Sequence, residues 1–414
     1  MTFPLVQLRR AGRIVNGGTP PSGDPAGWDG DIPFITPPDL GGLDGAIVSE
    51  TARALSKIGA TSSGIAPVGS VILSTRAPIG YVGRVARESS FNQGCKAVVP
   101  HDLFSDRYLA YALITAREEM QLRGQGTTFL ELSASALAAL PIPMPRLDQQ
   151  KVIADFLDRE TAWIDAFIAK SEHLVTRLIE RRQVVADTAL FGGGLGARRK
   201  LSAQAHSHTA LAPVLEALPS GWGIARWKTL LLQTDERNEH GEATMMSLRS
   251  TGEIVERATL GQRQEPDVFS IPRYYIARPG DLVVNPMWLV GGSIGVSRIT
   301  GAVSPDYRVF RSRGQHDPSY LHHLLRSRPY RDQYVLFTRA ETTFDRRVQQ
   351  LDLDDMPLPV PPMAEQIQIA RRIDTAVEQI DDALRIAERG IALARERRAA
   401  LISAAVTGQL QVTK

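Results

Sequence analysis

Residues 141–158 read PIPMPRLDQQKVIADFLD, and residues 357–374 read PLPVPPMAEQIQIARRID. The two stretches stand 216 residues apart, and the same offset carries Gln150 onto Gln366. A repeat with so long a period marks duplicated domains rather than the stacked units of a solenoid. The chain is therefore predicted to contain one module-plus-helix unit twice.

Strand-like stretches upstream of these helices recur at slightly different offsets. GSVIL at residues 69–73 corresponds to GDLVV at 280–284, an offset of 211, and Thr127–Phe129 corresponds to Thr342–Phe344, an offset of 215. Short apolar runs bounded by Gly, Pro or Asn are typical of strands, and changing offsets indicate insertions in loops. Each half is predicted to begin with a mixed α/β module of roughly 145 residues, which is large enough to bury its own core.

A long segment suited to an α-helix follows each proline-rich stop, because proline is well tolerated in the first turn of a helix. Apolar residues recur along both segments in steps of three and four, which predicts a heptad stripe. The stripe residues are Ile153, Leu157, Ile164, Phe167, Leu174 and Leu178 in the first helix, and Ile369, Ile373, Ile380, Ala383 and Leu401 in the second.

Either helix could dock on its own module, but two helices with the same stripe are predicted to pair with each other. The predicted fold class is α+β, with two homologous mixed α/β modules separated by two long helices in a pseudo-two-fold antiparallel coiled coil. Each helix of about 42 residues would be roughly 60 Å long. The predicted segments are a first module (1–146), a central helix (147–191), a linker (192–213), a second module (214–361) and a C-terminal helix (362–414).

The composition favours a folded intracellular protein. Hydrophobic residues make up 43% of the 414 residues and charged residues 22%. We expect neither a secretory signal nor a membrane span, because Arg9 and Arg10 interrupt the start and no stretch of about 20 apolar residues follows. The single cysteine, Cys95, excludes an internal disulfide and a multi-thiolate zinc site. The expected location is the cytoplasm.

The net charge of +3 is a weak argument for nucleic-acid binding. Short basic clusters occur at Arg198–Lys200 and at Arg346-Arg347, and each is as readily explained by solvated surface charge.

No motif in the chain predicts catalysis or a metal site. The run Gly192–Gly196 follows a helix instead of a strand, so it indicates a helix C-cap rather than a phosphate loop. The sequence Asn285–Trp288 resembles the Asn-Pro-Pro-aromatic motif of amino-methyltransferases, but its counterpart Ser74–Ala77 could not serve that chemistry.

The same loops suit a reader of nucleic acid, since polar side chains just beyond a strand can reach base edges and phosphates. Turn formation and helix or strand capping would explain each residue individually as well. The candidate DNA-contacting residues are Thr75, Arg76, Asn92, Gln93, Gln125, Thr127, Thr128, Asn285, Trp288, Arg339, Thr342 and Thr343.

In its order of motifs the whole chain resembles the specificity (S) subunits of Type I restriction–modification systems. The resemblance rests on the Pro-x-Pro-x-Pro stop before Glu365-Gln366, the Gly126–Phe129 element, the Gly280–Val283 strand and the Leu218–Trp222 opening of the second half. Gln149-Gln150 departs mildly from the Glu-Gln of that family. The second copy also lacks two glycines, because Arg339 and Glu341 stand where the first has Gly124 and Gly126.

The resemblance implies two target recognition domains that each read one half of a bipartite site in double-stranded DNA. It implies that the long helices space these domains and bind two modification (methyltransferase) subunits, with restriction subunits as further partners and no membrane. Adenine methylation and ATP-dependent cleavage then belong to the partners, so the chain is a non-catalytic subunit. S-adenosylmethionine, ATP and Mg²⁺ are expected on those partners, and no cofactor on this chain.

Two other functions remain open at this point. The modules could bind protein only, which would make the chain an assembly scaffold without DNA contact. The chain could also be a DNA methyltransferase with fused recognition domains, although no glycine-rich S-adenosylmethionine loop accompanies Asn285.

Overall fold

The chain forms two modules and two long helices, which confirms the predicted fold class. The computed structural model describes residues 3–125, 130–191, 210–219, 221–261, 267–314, 316–338 and 347–413. Two compact units result: unit 1 comprises Met1–Glu172 with Glu388–Lys414, and unit 2 comprises His173–Ala387. Each unit therefore contains one module together with a part of both long helices.

The helices are α1 Lys57–Ala60, α2 Asp106–Thr115, α3 Arg117–Leu122, α4 Ala134–Ala138, α5 Leu147–Phe191, α6 Ala212–Glu216, α7 Trp227–Leu230, α8 Pro318–Arg326, α9 Arg328–Phe337, α10 Gln350–Asp354 and α11 Met363–Thr407. The strands of the first module are β1 Leu5–Gln7, β2 Gly12–Asn16, β3 Trp28–Ile35, β4 Arg53–Leu55, β5 Gly64–Ala66, β6 Val71–Ser74, β7 Val82–Arg84, β8 Ser89–Phe91, β9 Cys95–Pro100 and β10 Pro141–Pro143. Those of the second are β11 Gly223–Arg226, β12 Leu231–Thr234, β13 Met246–Leu248, β14 Ile254–Glu256, β15 Tyr275–Ala277, β16 Leu282–Val284, β17 Ile294–Val296, β18 Gly301–Val303, β19 Arg308–Ser312 and β20 Pro357–Val360.

The central sheet has the same strand order in both modules. It runs β2-β9-β6-β7 in the first and β12-β19-β16-β17 in the second, with every pair antiparallel. A further two-stranded pair, β1-β10 or β11-β20, includes the proline-rich stop of each module. The modules differ elsewhere, because β4-β3-β8-β5 forms one sheet in the first while β15-β18 and β13-β14 are separate pairs in the second.

The middle strands are buried on both faces, which explains their uninterrupted apolar sequence. In β6, Val71 and Leu73 lie in the core beneath α2, whereas Ile72 lies in the core on the opposite face. In β16, Leu282 and Val284 face one core and Val283 the other.

A buried glutamine joins the first module to its long helix. The Gln150 side-chain amide donates to the carbonyl oxygens of Leu103 and Pro145, both at 3.0 Å, and its Oε1 accepts from Ser105 N at 2.9 Å. Ser105 is the N-cap residue of α2, so this glutamine ties the start of α2 to the start of α5.

The same joint recurs in the second module. Gln366 Nε2 donates to Pro361 O at 2.8 Å, and Gln366 Oε1 accepts from Asp317 N, the N-cap residue of α8, at 3.0 Å. Both glutamines are buried. The repeated glutamine of the sequence is therefore a structural joint, because a buried amide needs all of these partners.

The long helices run antiparallel where they meet within each unit. In unit 1, Asp165 pairs with Arg398 at 2.8 Å and Glu172 pairs with Arg395 at 2.7 Å, so residue numbers rise along one helix as they fall along the other. In unit 2, Arg182 pairs with Asp381 at 3.3 Å.

The predicted heptad stripe is wrong for part of the helices. Phe167 and Leu174 are 43% and 50% exposed, and Leu401 is only partly buried while its neighbour Ile402 is buried. Over the first turns of each helix, the buried positions still follow steps of four and three. They are Gln150, Ala154, Leu157, Thr161 and Ile164 in α5, and Gln366, Ala370, Ile373 and Ile380 are buried in α11.

Most of the predicted linker lies outside the described residues, and its last two positions begin α6. Leu215 of this helix lies in the core of unit 2. Within the described residues, no helix is both long and apolar enough to cross a bilayer.

Candidate nucleic-acid interface

Three loops of the first module meet at the end of β6. Thr75 N donates to Gly94 O at 2.8 Å, and Leu132 N donates to Thr75 O at 2.8 Å. One residue thus ties together the loop after β6, the turn before β9 and the segment before α4. These loops, residues 75–78, 92–94, 125 and 130–132, are called loop cluster 1.

Three side chains predicted to contact DNA lie in loop cluster 1 and are exposed. Arg76 forms an ion pair of 3.1 Å with Glu131, and both side chains are close to half exposed. Gln93 accepts a hydrogen bond from the Thr19 hydroxyl. Gln125 pairs through its backbone with Glu131. The structure therefore brings Arg76, Gln93 and Gln125 into one neighbourhood.

Thr75 does not offer its side chain to a ligand, which corrects its place among the predicted contacts. It is fully buried, and its hydroxyl donates a hydrogen bond of 3.3 Å to the carbonyl oxygen of Gly94. Asn92 is partly buried, and its Oδ1 accepts from Gly94 N at 3.0 Å. Thr75 and Asn92 shape the turn that carries Gln93.

The second module repeats this scaffold in loop cluster 2, which comprises residues 285–293, 304–306 and 347–348. Val348 N donates to Pro286 O at 3.1 Å, as Leu132 N does to Thr75 O. The turn before β19 is also repeated, because Asp306 N donates to Ser304 Oγ at 3.3 Å.

Asn285 and Trp288 occupy one tight turn of loop cluster 2. Asn285 Oδ1 accepts from Met287 N at 3.2 Å, and Trp288 N donates to Asn285 O at 3.1 Å. The Asn285 amide oxygen is thus engaged in the turn, which favours a structural role over binding of a target amine. Trp288 is 61% exposed and projects an aromatic surface from the loop.

The remaining predicted DNA contacts, Thr127, Thr128, Arg339, Thr342 and Thr343, lie outside the described residues. In the described part of the chain, no group of three or more His, Cys, Asp or Glu side chains could hold a metal ion.

A matched pair of basic residues, Lys96 and Arg308, was not among the residues predicted from the sequence. Lys96 lies opposite Leu73 in the β6–β9 ladder, and Arg308 lies opposite Val284 in the β16–β19 ladder. They stand 212 residues apart, the offset that also relates the glycines following β6 and β16. A basic residue at matched positions of the two repeats was the signal that could have identified them.

Both cations are held in partly desolvated surroundings. Burial lowers the pKa of Lys96, with Glu131 and Arg76 as its charged neighbours. Burial also lowers the pKa of Arg308, and the nearby charge of Arg347 lowers it further. The adjacent Cys95 is buried, which raises the pKa of its thiol to about 12 and leaves it neutral. The loop clusters thus have cations at their base and polar or aromatic side chains above.

Comparison with known proteins relates the first module to a known domain. Residues 6–175 match the model of the Type I restriction modification DNA specificity domain. The chain is 34% identical over 159 residues to the type I restriction enzyme MjaIX specificity subunit of Methanocaldococcus jannaschii, an alignment that covers 37% of each protein. It is 28% identical over 164 residues to the HindI specificity subunit of Haemophilus influenzae, covering 37% of this chain and 35% of that protein.

A longer alignment relates the chain to the EcoBI specificity subunit of Escherichia coli, with 22% identity over 345 residues that cover 76% of this chain and 68% of that protein. The chain spans little more than a third of the length of the MjaIX and HindI proteins that it matches.

Solved structures share the fold over almost the whole chain. A chain from a study of complex assembly and conformational transition of the type I R-M system superposes with a TM-score of 0.65 at 16% identity, covering 99% of this chain and 98% of that one. The HsdS subunit of Thermoanaerobacter tengcongensis superposes with a TM-score of 0.53 at 15% identity, covering 99% and 97%. In its specificity domain at residues 6–175 and in its overall fold, the chain is similar to the specificity (S) subunits of Type I restriction–modification systems.

Proposed function

We propose that the chain is the DNA-reading subunit of a Type I restriction–modification complex and that each module reads one half of a bipartite duplex site. The observation that carries this proposal is the repetition of one scaffold with different exposed side chains. Leu132 N–Thr75 O and Val348 N–Pro286 O are the same hydrogen bond in the two modules. Two modules that recognise different DNA sequences need the same backbone scaffold with different side chains on its loops.

The exposed residues on this frame differ in chemistry. At matched positions the first module has Arg76 and Ala77 where the second has Met287 and Trp288. Arginine recognises guanine or phosphate, whereas an aromatic ring stacks or packs against bases and sugars. The two modules are therefore proposed to read different half-sites, with the helices fixing the unread gap between them.

The exposed apolar side chains of the long helices support a second part of the proposal, the docking of two modification subunits. On α5 these residues are Trp163, Phe167, Leu174, Ile179 and Val184, and on α11 they are Ile386 and Leu393. Trp163 and Phe167 stack with ring centroids 6.4 Å apart. Large exposed apolar residues on a regular surface mark protein interfaces. Methylation and cleavage, with S-adenosylmethionine, ATP and Mg²⁺, are proposed to reside on the partners.

The test is to exchange residues 1–146 for the corresponding module of another specificity subunit and map methylated adenines in a host carrying the modification subunit. One half of the methylated site should change while the other half and the gap stay the same. Changes in both halves would contradict the modular proposal.

Two further measurements address the competing functions. Electrophoretic mobility shifts of the assembled complex on duplex DNA distinguish a reader from an assembly scaffold that makes no DNA contact. Isothermal titration of the isolated chain with S-adenosylmethionine should give no heat of binding, and saturable binding would favour a methyltransferase.

A further inference from the structure

Ile58 and Phe269 are exposed apolar side chains at matched positions of the two modules. Ile58 of α1 is 65% exposed, and Phe269 of the short 3₁₀-helix Val268–Arg273 is 88% exposed. The two residues stand 211 positions apart, the offset that also relates GSVIL at 69–73 to GDLVV at 280–284. They are therefore counterparts in the repeat.

The short helices that carry them begin with matched caps. Ser56 is the N-cap residue of α1, and its hydroxyl oxygen accepts from Gly59 N at 3.1 Å. Asp267, 211 positions later, is the N-cap residue of the second helix, and its Oδ1 accepts from Phe269 N at 3.3 Å. A side-chain cap stabilises the first turn of a helix, so both apolar side chains project from a stabilised turn.

In the first module, α1 lies at the same edge as loop cluster 1. Gly64 of β5 lies opposite Phe91 of the antiparallel strand β8, so the chain before Gly64 runs past the end of β8. Loop cluster 1 begins there, because residues 92–94 directly follow β8. The Ser63 hydroxyl donates to Phe91 O at 2.9 Å and holds the segment after α1 at this edge.

The second module has the same arrangement. Tyr275 of β15 lies opposite Val303 of the antiparallel strand β18, so the helix Val268–Arg273 lies beyond the end of β18. Residues 304–306 of loop cluster 2 directly follow that strand. Arg237 Nη1 donates to Arg273 O at 2.7 Å and fixes the end of the helix. Ile58 and Phe269 therefore adjoin corresponding loop clusters.

The position of these side chains identifies what would cover them. Exposed apolar side chains that adjoin a binding surface mark a contact with its partner. Here the neighbouring loops are the ones proposed to contact DNA, so the partner is the duplex. Isoleucine and phenylalanine are among the side chains that DNA-binding proteins insert between base pairs.

We propose that Ile58 and Phe269 are matched wedges, each of which inserts between two base pairs in the half-site of its own module and partly unstacks them. The inference rests on the proposed DNA binding and adds how each module deforms the duplex that it reads. An apolar insertion displaces no counterion from a phosphate, so its contribution to affinity should not depend on salt.

The test measures two properties of the full chain with a duplex that carries the methylated site. The first is the dissociation constant at several salt concentrations. The second is the fluorescence of 2-aminopurine, placed in turn at each position of either half-site, which rises when the base is unstacked.

Ile58→Ala should weaken binding about tenfold, as loss of one stacking contact does, and leave the slope of log K against log salt unchanged. It should abolish the rise in fluorescence in the first half-site only. Phe269→Ala should have the same effects, with the loss of fluorescence confined to the second half-site.

Val68 and Ile299 provide matched controls. Both side chains are exposed, and they lie in the turns between β5 and β6 and between β17 and β18. These turns are at the other end of β5 and β18 from the loop clusters. Val68→Ala and Ile299→Ala should leave the affinity and the fluorescence unchanged. Thermal melts verify that all four variants fold.

Unchanged affinity and fluorescence for folded Ile58→Ala and Phe269→Ala proteins would overturn the inference. Equal losses in the two control variants would also overturn it, and so would a reduced salt slope, which would indicate an ionic contact. Failure of the unaltered chain to bind the duplex would instead overturn the proposed function.

Discussion

The guanidinium of Arg398 lies against the carboxylate of Asp165, with Nε 2.8 Å from Oδ1 and Nη2 3.2 Å from Oδ2. Exchanging each residue for its repeat, 216 positions away, gives Arg182 and Asp381, which are paired at 3.3 Å. One ion pair between the long helices is thus present twice, once in each unit. The two copies differ in exposure, since the Arg398 side chain is 14% exposed and that of Arg182 is 44% exposed.

This difference predicts unequal losses when the two arginines are replaced. Arg398→Met should destabilise unit 1 by about 1–3 kcal/mol, because it leaves Asp165 without its cation and removes one of the two arginines that contact Asp44, the other being Arg117. Arg182→Met should cost less than about 1 kcal/mol, as exposed pairs do. Hydrogen exchange in increasing urea measures the free energy of opening of each unit. An equal loss of this free energy in the two variants would contradict the prediction that the less exposed ion pair stabilises its unit more.

The buried glutamines predict a second stability effect. Gln150→Ala leaves the Ser105 amide and two carbonyl oxygens without their partner, which should cost about 1–3 kcal/mol. Gln366→Ala should behave alike in the second module. The exposed Gln368 is the matched control, and Gln368→Ala should change the unfolding free energy by no more than about 0.5 kcal/mol.

Acid should weaken the second module through His322. Its Nδ1 is buried and has no hydrogen-bond partner among the described residues. Burial, together with the charges of His323 and Arg326, lowers its pKa well below 6.5. The unfolded chain then takes up this proton before the folded chain does. Stability is therefore lost as pH falls below about 6.5, at up to about 1.4 kcal/mol per pH unit.

Replacing the imidazole checks this prediction. His322→Gln should flatten the loss of melting temperature between pH 7 and pH 5, whereas His101→Gln, at an exposed position of the first module, should leave the profile unchanged. An identical pH profile for His322→Gln and the unaltered chain would show that another group is responsible.

Under the proposed docking of modification subunits, the stacked aromatic pair of α5 predicts where such a subunit binds most tightly. Trp163 is 65% exposed, and buried aromatic anchors dominate binding energies at protein interfaces. Trp163→Ala should weaken association with the modification subunit roughly 30-fold, equivalent to about 2 kcal/mol, without lowering the melting temperature. Gln379, the exposed counterpart of Trp163 in α11, is the control, and a loss as large for Gln379→Ala would argue against a local anchor.

The duplication was predictable from the sequence because repeated residues make repeated contacts. Gln150 and Gln366 recur since each clamps the start of a module helix, and the apolar runs of β6 and β16 recur since both strands are buried on two faces. These contacts involve residues that are close together in the chain or that recur at a constant offset between the two halves. The α+β architecture could therefore be derived before the structure.

The helix stripe shows why pattern alone misassigned individual residues. A stripe in steps of three and four can pass through Ile153 and Glu160 or through Ala154 and Thr161, and the two choices reach different side chains farther along the helix. Phe167 and Leu174 are apolar yet exposed, whereas Ile391 belongs to the buried positions. Hydrophobicity could not distinguish a residue kept for the helix pair from one available to a partner.

The loop clusters were predictable only in part. Arg76, Gln93 and Gln125 are brought together by backbone hydrogen bonds at Thr75, which join segments many residues apart. Thr75 is buried because these distant segments meet around it. The residues next to Thr75 in the sequence therefore do not indicate its burial. Lys96 and Arg308 were not predicted because one basic residue in a strand forms no motif, and only a comparison of the two halves reveals that the position is repeated.

The composition of unit 1 has a consequence for synthesis on the ribosome. Tyr108 of the first module donates to Val406 O at 3.2 Å, and Ile402, Ala405 and Val406 lie in the same core as α2. The nascent first module thus emerges with part of its core still untranslated. Unit 2, in contrast, comprises one continuous stretch, so we expect it to reach its native state first although its gene segment is read later.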